Sequence, residues 1–204
     1  MTPTADELRS NIPKAYWLNA AWMFLVLMPV IVPFYRSKGL SMTQVYELQS
    51  IFAVGMLVFE VPTGYIADMW GRRTALVLGS ALHALGFLIY GLAGGFADLA
   101  AAEVVLAVGV SLFSGTDVAL LYDSLAALED RRAPIKLLGR LVYYRQMGEA
   151  CGALVGGALV LVSMRCAVWA NAAAACVPLL IAFTAVEPPR PLMGGKTHSE
   201  NFRY

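Results

Sequence analysis

Gly64-Tyr65-Ile66-Ala67-Asp68-Met69-Trp70-Gly71-Arg72-Arg73 is a charged turn, punctuated by glycine, between two long apolar runs. A turn of this kind is where a chain leaves an apolar phase and re-enters it. Gly64 has no Cβ and is expected to let a neighbouring helix come close, while Gly71 is expected to supply a backbone turn that a side chain would disfavour. Asp68 and Arg72 are four apart, which sets them side by side on one helical turn for an ion pair at headgroup level. Arg73 adds a second positive charge there.

Working outward, the flanking runs identify the phase. Hydrophobic residues make up 59% of the 204 and charged residues only 14%, with a mean hydropathy of +0.65. Water-soluble domains carry about a quarter charged residues. The composition therefore excludes a soluble globule and predicts an all-α membrane protein. A transmembrane barrel is excluded too, because the apolar runs are continuous rather than alternating.

Residues 15–35, 74–97 and 166–186 contain no charged side chain and are each long enough to cross a hydrocarbon core as a helix. Three further runs hold a few charges within them: 43–67 with Glu47 and Glu60, 99–121 with Glu103 and Asp117, and 140–162 with Arg145 and Glu149. Six transmembrane helices are predicted, at about 15–35, 43–67, 74–95, 99–125, 140–162 and 166–186, forming one bundle over 15–187. The first run is too long for the apolar part of a cleavable signal and is expected to remain in the mature chain. Residues 1–14 are predicted to be a cytoplasmic N-terminal segment, and the Pro- and Gly-rich stretch 188–204 a flexible cytoplasmic tail.

The basic residues give an orientation. With the N-terminus inside, eleven fall in cytoplasmic segments (Arg9, Lys14, Arg72, Arg73, Arg131, Arg132, Lys136, Arg140, Arg190, Lys196, Arg203) and three outside (Arg36, Lys38, Arg165). That bias follows the positive-inside rule and predicts both termini in the cytoplasm, in the plasma membrane of a bacterium-like cell. Ser41-Met42-Thr43-Gln44 is expected to cap the second helix, and Pro188-Pro189 to stop the sixth. Pro29, Pro33 and Pro178 lie inside apolar runs and are expected to kink them. Trp17, Trp22, Tyr16, Tyr35, Trp70 and Trp169 read as interfacial aromatics, and Cys151, Cys166 and Cys176 as small packing residues.

The pattern Gly64-x-x-x-Asp68-x-x-Gly71-Arg72-Arg73 resembles the loop between the second and third helices of the major facilitator superfamily. Phe59-Glu60-Val61-Pro62-Thr63 looks like the second-helix ending of bacterial members, and residues 114–125, from Ser114 through Asp123 to Leu125, resemble their fourth-helix ending. Gly139, Gly148, Gly152, Gly156 and Gly157 reproduce the spacing of a fifth-helix motif found in antiporters, although Ala153 stands where that motif has proline. Ser111 likewise replaces an arginine common in the fourth helix. The resemblance implies a six-helix bundle made of two inverted three-helix repeats, the N-terminal half of a twelve-helix transporter. It implies Asp123 as a partner of Arg72 at a cytoplasmic gate, and a second half, or a second copy of this chain, as partner. Packing alone also explains small residues four apart.

Ionisable groups inside a membrane helix are functional candidates because leaving them unpaired is costly. Asp117 and Arg145 sit at similar depth on antiparallel helices, about six residues or roughly 9 Å in, and Glu149 follows Arg145 by one turn. An Asp117, Arg145 and Glu149 network reads two ways: substrate or proton coupling, or structural glue. His83 reads as a hydrogen-bonded packing residue and Glu60 as structural.

The implied function is secondary active or facilitative movement of a small solute by alternating access, with efflux or antiport slightly favoured by the glycine run. The alternative is a non-transporting membrane scaffold derived from a truncated or split gene. No Walker loop, Ser-His-Asp arrangement or His-Glu-x-x-His is present, so ATP coupling and enzyme chemistry are not expected. No metal, cofactor or nucleic acid is expected. The partners expected are a small-molecule solute and the lipid bilayer, with proton coupling open.

Overall fold

Helix is the only regular structure among the residues described, 3–129 and 134–189 of the computed structural model. The order is α1 (Ala5–Trp22), a 3-10 turn (Met28–Val30), α2 (Ile31–Ser37), α3 (Met42–Trp70), α4 (Arg72–Leu92), α5 (Phe96–Phe113), α6 (Thr116–Ala127), α7 (Pro134–Val162), α8 (Met164–Ala174) and α9 (Val177–Thr184). Arg131, Arg132, Arg190, Lys196, Arg203 and nearly all of the 188–204 stretch lie outside the described residues.

Four helical stretches are long and apolar enough to cross a bilayer: Met42–Trp70, Arg72–Leu92, Phe96–Ala127 and Met164–Thr184. Two of the six expected crossings are not among them. The run 15–35 is not one helix, because α1 starts ten residues before it and stops at Trp22, leaving 23–27 irregular. The fifth run lies in a single helix, α7, which is 29 residues long but carries Lys136, Arg140, Arg145 and Glu149 along its length.

The break after α1 has a tertiary cause. Gly148, Gly152 and Gly156 of α7 are buried, and a Cβ on any of them would overlap backbone atoms of Ala20, Leu25 and Val26 respectively. The glycine stripe thus presses directly on the irregular backbone. Asn171 of α8 replaces a lost helical bond, its Oδ1 accepting from Leu27 N–H at 3.0 Å. Pro29 lacks an N–H and continues the break into the 3-10 turn. Local turns take up the N–H groups of Met23, Phe24 and Leu25. Gly139 and Gly157 depart from the packing expectation: nothing lies within 4 Å of a Cβ built on either. They occupy other faces of the helix.

The fourth expected helix, 99–125, is also divided. Gly115 adopts φ +77 between α5 and α6, a left-handed turn that glycine makes without strain. The expected capping box at α3 is present, with Ser41 Oγ accepting from Gln44 N–H at 3.2 Å and Gln44 Oε1 accepting from Ser41 N–H at 2.9 Å. Pro178 falls in the first turn of α9, where its missing donor is harmless.

In the packing, α5 lies against both α3 and α4, α1 against α6, α7 and α9, and α4 against α8 and α9. One core cluster gathers Phe34, Tyr35, Leu48, Phe87, Tyr90 and Leu99; another, at the opposite end, gathers Ile12, Tyr16, Leu121, Leu125 and Leu141. Tyr16, Trp22 and Tyr35 are therefore interior, not interfacial. The three cysteines are exposed on the bundle surface rather than packed inside it. Two helices present large apolar faces outward: Leu57 and Val61 of α3 are 73% and 77% exposed, Leu154 and Leu161 of α7 76% and 87%. Such faces call for lipid or another bundle against them.

Candidate functional site

Three helix ends converge on Arg72. α3 ends at Trp70, and Gly71 reverses the chain at φ +102 so that α4 starts with Arg72. Arg72 Nη1 donates to Asp68 Oδ1 at 2.6 Å, one turn back on α3, and Arg72 Nε donates to Asp123 Oδ2 at 3.1 Å on α6. A guanidinium suits this role because its fork holds two carboxylates in fixed directions. Arg72 is about a quarter exposed and Asp68 about half. Each pair therefore contributes on the order of 1 kcal/mol, more through their shared geometry than through raw Coulomb energy. Gly64, in contrast, has nothing within 4 Å of a Cβ, so it gives no close helix approach among the described residues.

Sequence reasoning missed Glu187. This residue follows α9, and its two carboxylate oxygens accept from the N–H groups of Arg72 and Arg73, both at 2.8 Å. It caps an α4 that has no side-chain cap of its own, and a carboxylate there also meets the positive end of the helix dipole. Arg73 Nη2 returns the contact by donating to Phe183 O at 2.9 Å. Lys14 Nζ donates to Thr184 O at 2.6 Å, and Asn11 exchanges two amide bonds with Val186, at 2.8 and 2.9 Å. The exit from α9 is thereby strapped to α1 and α4. The only sequence signal was an acid standing directly before Pro188-Pro189.

A second polar layer lies deeper. Asp117 is 1% exposed, in the first turn of α6, where free N–H groups favour a carboxylate. Arg145 Nη2 reaches Asp117 Oδ2 at 3.4 Å, and its Nε donates to Asn19 Oδ1 at 3.2 Å. Asp117 Oδ1 has no hydrogen-bond partner among the described residues. Glu149 does not join the network: it sits on an exposed face of α7, and no hydrogen bond or ion pair links it to Arg145. Arg145 turns instead toward Asn19 and Asp117 on α1 and α6. Glu60 is likewise exposed on α3 and stays clear of the Arg72 cluster.

His83 corrects another expectation. It is 3% exposed, stacked on Trp22 with ring centroids 4.2 Å apart, and neither ring nitrogen has a hydrogen-bond partner among the described residues.

Outward apolar faces, a guanidinium clamp at one end and a carboxylate–guanidinium pair at depth define a multi-pass membrane protein. The family model described as Major Facilitator Superfamily matches residues 16–203, and the chain belongs to that family. Among curated relatives, it is 30% identical over 109 residues to "Multidrug resistance protein Stp" of Mycobacterium tuberculosis (strain CDC 1551 / Oshkosh), covering 53% of this chain and 20% of the relative. It is 30% identical over 113 residues to "MFS-type efflux transporter ffsH" of Aspergillus flavipes, covering 55% and 19%. An "Uncharacterized transporter" of Rickettsia bellii (strain RML369-C) is 26% identical over 149 residues, covering 66% and 36%. The matched stretches thus span between about a fifth and a third of the relatives' own length.

Proposed function

We propose that this bundle is the N-terminal half of a secondary or facilitative transporter that moves a small solute by alternating access. In this reading the chain crosses the plasma membrane six times with both termini cytoplasmic. The irregular α1 to α2 stretch and the polar α7 each make one crossing. A second six-helix half, or a second copy of the chain, covers the apolar faces of α3 and α7.

The observation that carries the reading is the Arg72 cluster. Rocking of one bundle against another requires each to move as a rigid body. Arg72, Asp123 and Glu187 fasten the ends of α3, α4, α6 and α9 together at one rim. Gly64, Asp68, Gly71, Arg72, Arg73 and Asp123 therefore form the cytoplasmic gate element. Asp117 and Arg145 are candidates for substrate or proton coupling, Glu149 for contact with the partner half. The names of two relatives and the glycine run support efflux over uptake.

The test is solute flux in proteoliposomes with and without an imposed pH gradient, comparing Arg72→Asp, Asp123→Arg and the pair. We expect each single reversal to cut flux at least tenfold and the double reversal to restore a substantial part. Flux indifferent to Arg72→Asp would remove the gate from the account.

A further inference from the structure

A cavity of about 250 Å³ is bounded by the end of α1, the stretch from Met23 to Tyr35, and α3, α4 and α5, and it opens beside the exposed Met28 and Gln49. Its lining includes the exposed Gln49, the hydroxyls of Tyr35 and Tyr90, and two buried polar groups, Glu103 and His83. At one end Glu103, 4% exposed, receives the hydroxyls of Tyr35 and Tyr90 on the same oxygen, Oε1. Its other oxygen, Oε2, has no hydrogen bond among the described residues. At the other end His83 also lines the cavity, with both ring nitrogens unpartnered.

His83 and Tyr90 are two turns apart on α4, so the polar ends are separated by roughly 10 Å along the helix. Between them the wall is aromatic: Trp22 stacks on His83, and Phe87 meets it edge-on with centroids 4.9 Å apart. Buried polar groups are normally satisfied, and a carboxylate without a nearby cation is costly to hold in an apolar setting.

We propose that this cavity binds a small hydroxylated arylalkylamine. The ammonium donates to Glu103 Oε2, the ring lies against Phe87 and the edge of Trp22, whose faces are covered by His83 and Phe113, and the hydroxyl pairs with a nitrogen of His83. An amine supplies both the missing cation and the missing donor, and Phe87 adds an aromatic contact. No partner half takes part, so this site does not rest on the transport reading.

The experiment is equilibrium dialysis of radiolabelled tyramine against the full chain in lipid nanodiscs. Three unlabelled analogues compete: 2-phenylethylamine without the hydroxyl, N,N,N-trimethyltyramine without the N–H donors, and 4-ethylphenol without the amine. We expect saturable tyramine binding, about fivefold weaker binding without the hydroxyl, and at least about tenfold weaker binding without the N–H donors or the amine. His83→Phe, which keeps the stacking, should weaken tyramine about fivefold and leave 2-phenylethylamine unchanged. Glu103→Gln should weaken both about tenfold.

Absence of saturable binding to the unmodified chain overturns the proposal, as does a trimethyl analogue that competes as well as tyramine. Equal losses of tyramine and 2-phenylethylamine in His83→Phe would mark His83 as structural and overturn its assigned role. Binding is read at equilibrium without flux. A chain that transports but does not bind tyramine sinks this site and leaves the transport reading standing.

Discussion

The glycine stripe of α7 yields a prediction in which one substitution has opposite signs at adjacent positions. Gly156 and Gly157 share a helix and a depth, yet a Cβ on Gly156 would overlap the carbonyl of Val26 while one on Gly157 meets nothing within 4 Å. Gly148 behaves like Gly156, against Ala20, and at Gly152 the nearest atom, Leu25 N, would stand 2.7 Å from the new Cβ. An ordinary contact needs about 0.7 Å more than that, so α7 must move off the irregular segment or the segment must shift. Overpacking of this kind costs about 1–3 kcal/mol. Where space is open, replacing a helical glycine by alanine gains up to about 0.5–1 kcal/mol. Gly156→Ala and Gly157→Ala should therefore differ by about 2–3 kcal/mol, with Gly148→Ala and Gly152→Ala siding with the first and Gly139→Ala with the second. The assay is reversible unfolding in mixed micelles of rising dodecyl sulfate content, followed by helical circular dichroism. If all five variants fall within about 0.5 kcal/mol of one another, the close approach of α7 to the chain break is wrong.

Two further predictions concern the ends of α1. Asn171→Ala removes the acceptor for Leu27 N–H in a buried site, so stability in the same unfolding assay should fall by about 1–3 kcal/mol; a loss below about 0.5 kcal/mol would mean that water or another group satisfies the break. At the other end, the backbone N–H and hydroxyl of Thr4 both donate to Glu7 and hold its carboxyl below the ordinary value of 4.5. A depressed folded value means that this cap contributes above the unfolded value and is lost as pH falls through the folded one. The Glu7 side-chain carbon should titrate by NMR with a midpoint under 4.5, and a midpoint at or above it would show the capping box open in solution.

Much of the fold was legible because membrane helices announce themselves through uninterrupted apolar runs and the polar turns between them. The Ser41 capping box and the Asp68, Arg72 and Asp123 contacts follow from local spacing or from the family resemblance. What local pattern could not reveal was imposed from a distance. The run 15–35 looks like one helix, and it breaks at 23–27 because glycines about 130 residues away admit α7 against its backbone and Asn171 supplies a substitute acceptor. Asp117 looked like a charge in mid-helix, but Gly115 places it in a first turn. Glu187 drew no reading from the sequence, and it caps another helix. Glu103 was noted only as a charge within the run 99–121 and His83 was read as a packing residue, because nothing in their spacing of twenty residues shows that α4 and α5 bring both to one cavity. Trp22 was misplaced at an interface for the same reason. Its aromatic neighbours, His83 and Phe113, come from later helices.

The proposed topology puts the Arg72 rim and the two termini on the cytoplasmic side of a six-crossing bundle. Cysteine labelling tests this directly, with Cys151, Cys166 and Cys176 replaced by alanine and single cysteines placed at Thr4, Lys38, Trp70 and Arg165. A membrane-impermeant maleimide applied to intact cells should label Lys38→Cys and Arg165→Cys, and should reach Thr4→Cys and Trp70→Cys only after the membrane is opened. Labelling of Trp70→Cys from outside, or of Lys38→Cys and Arg165→Cys only from inside, would contradict it.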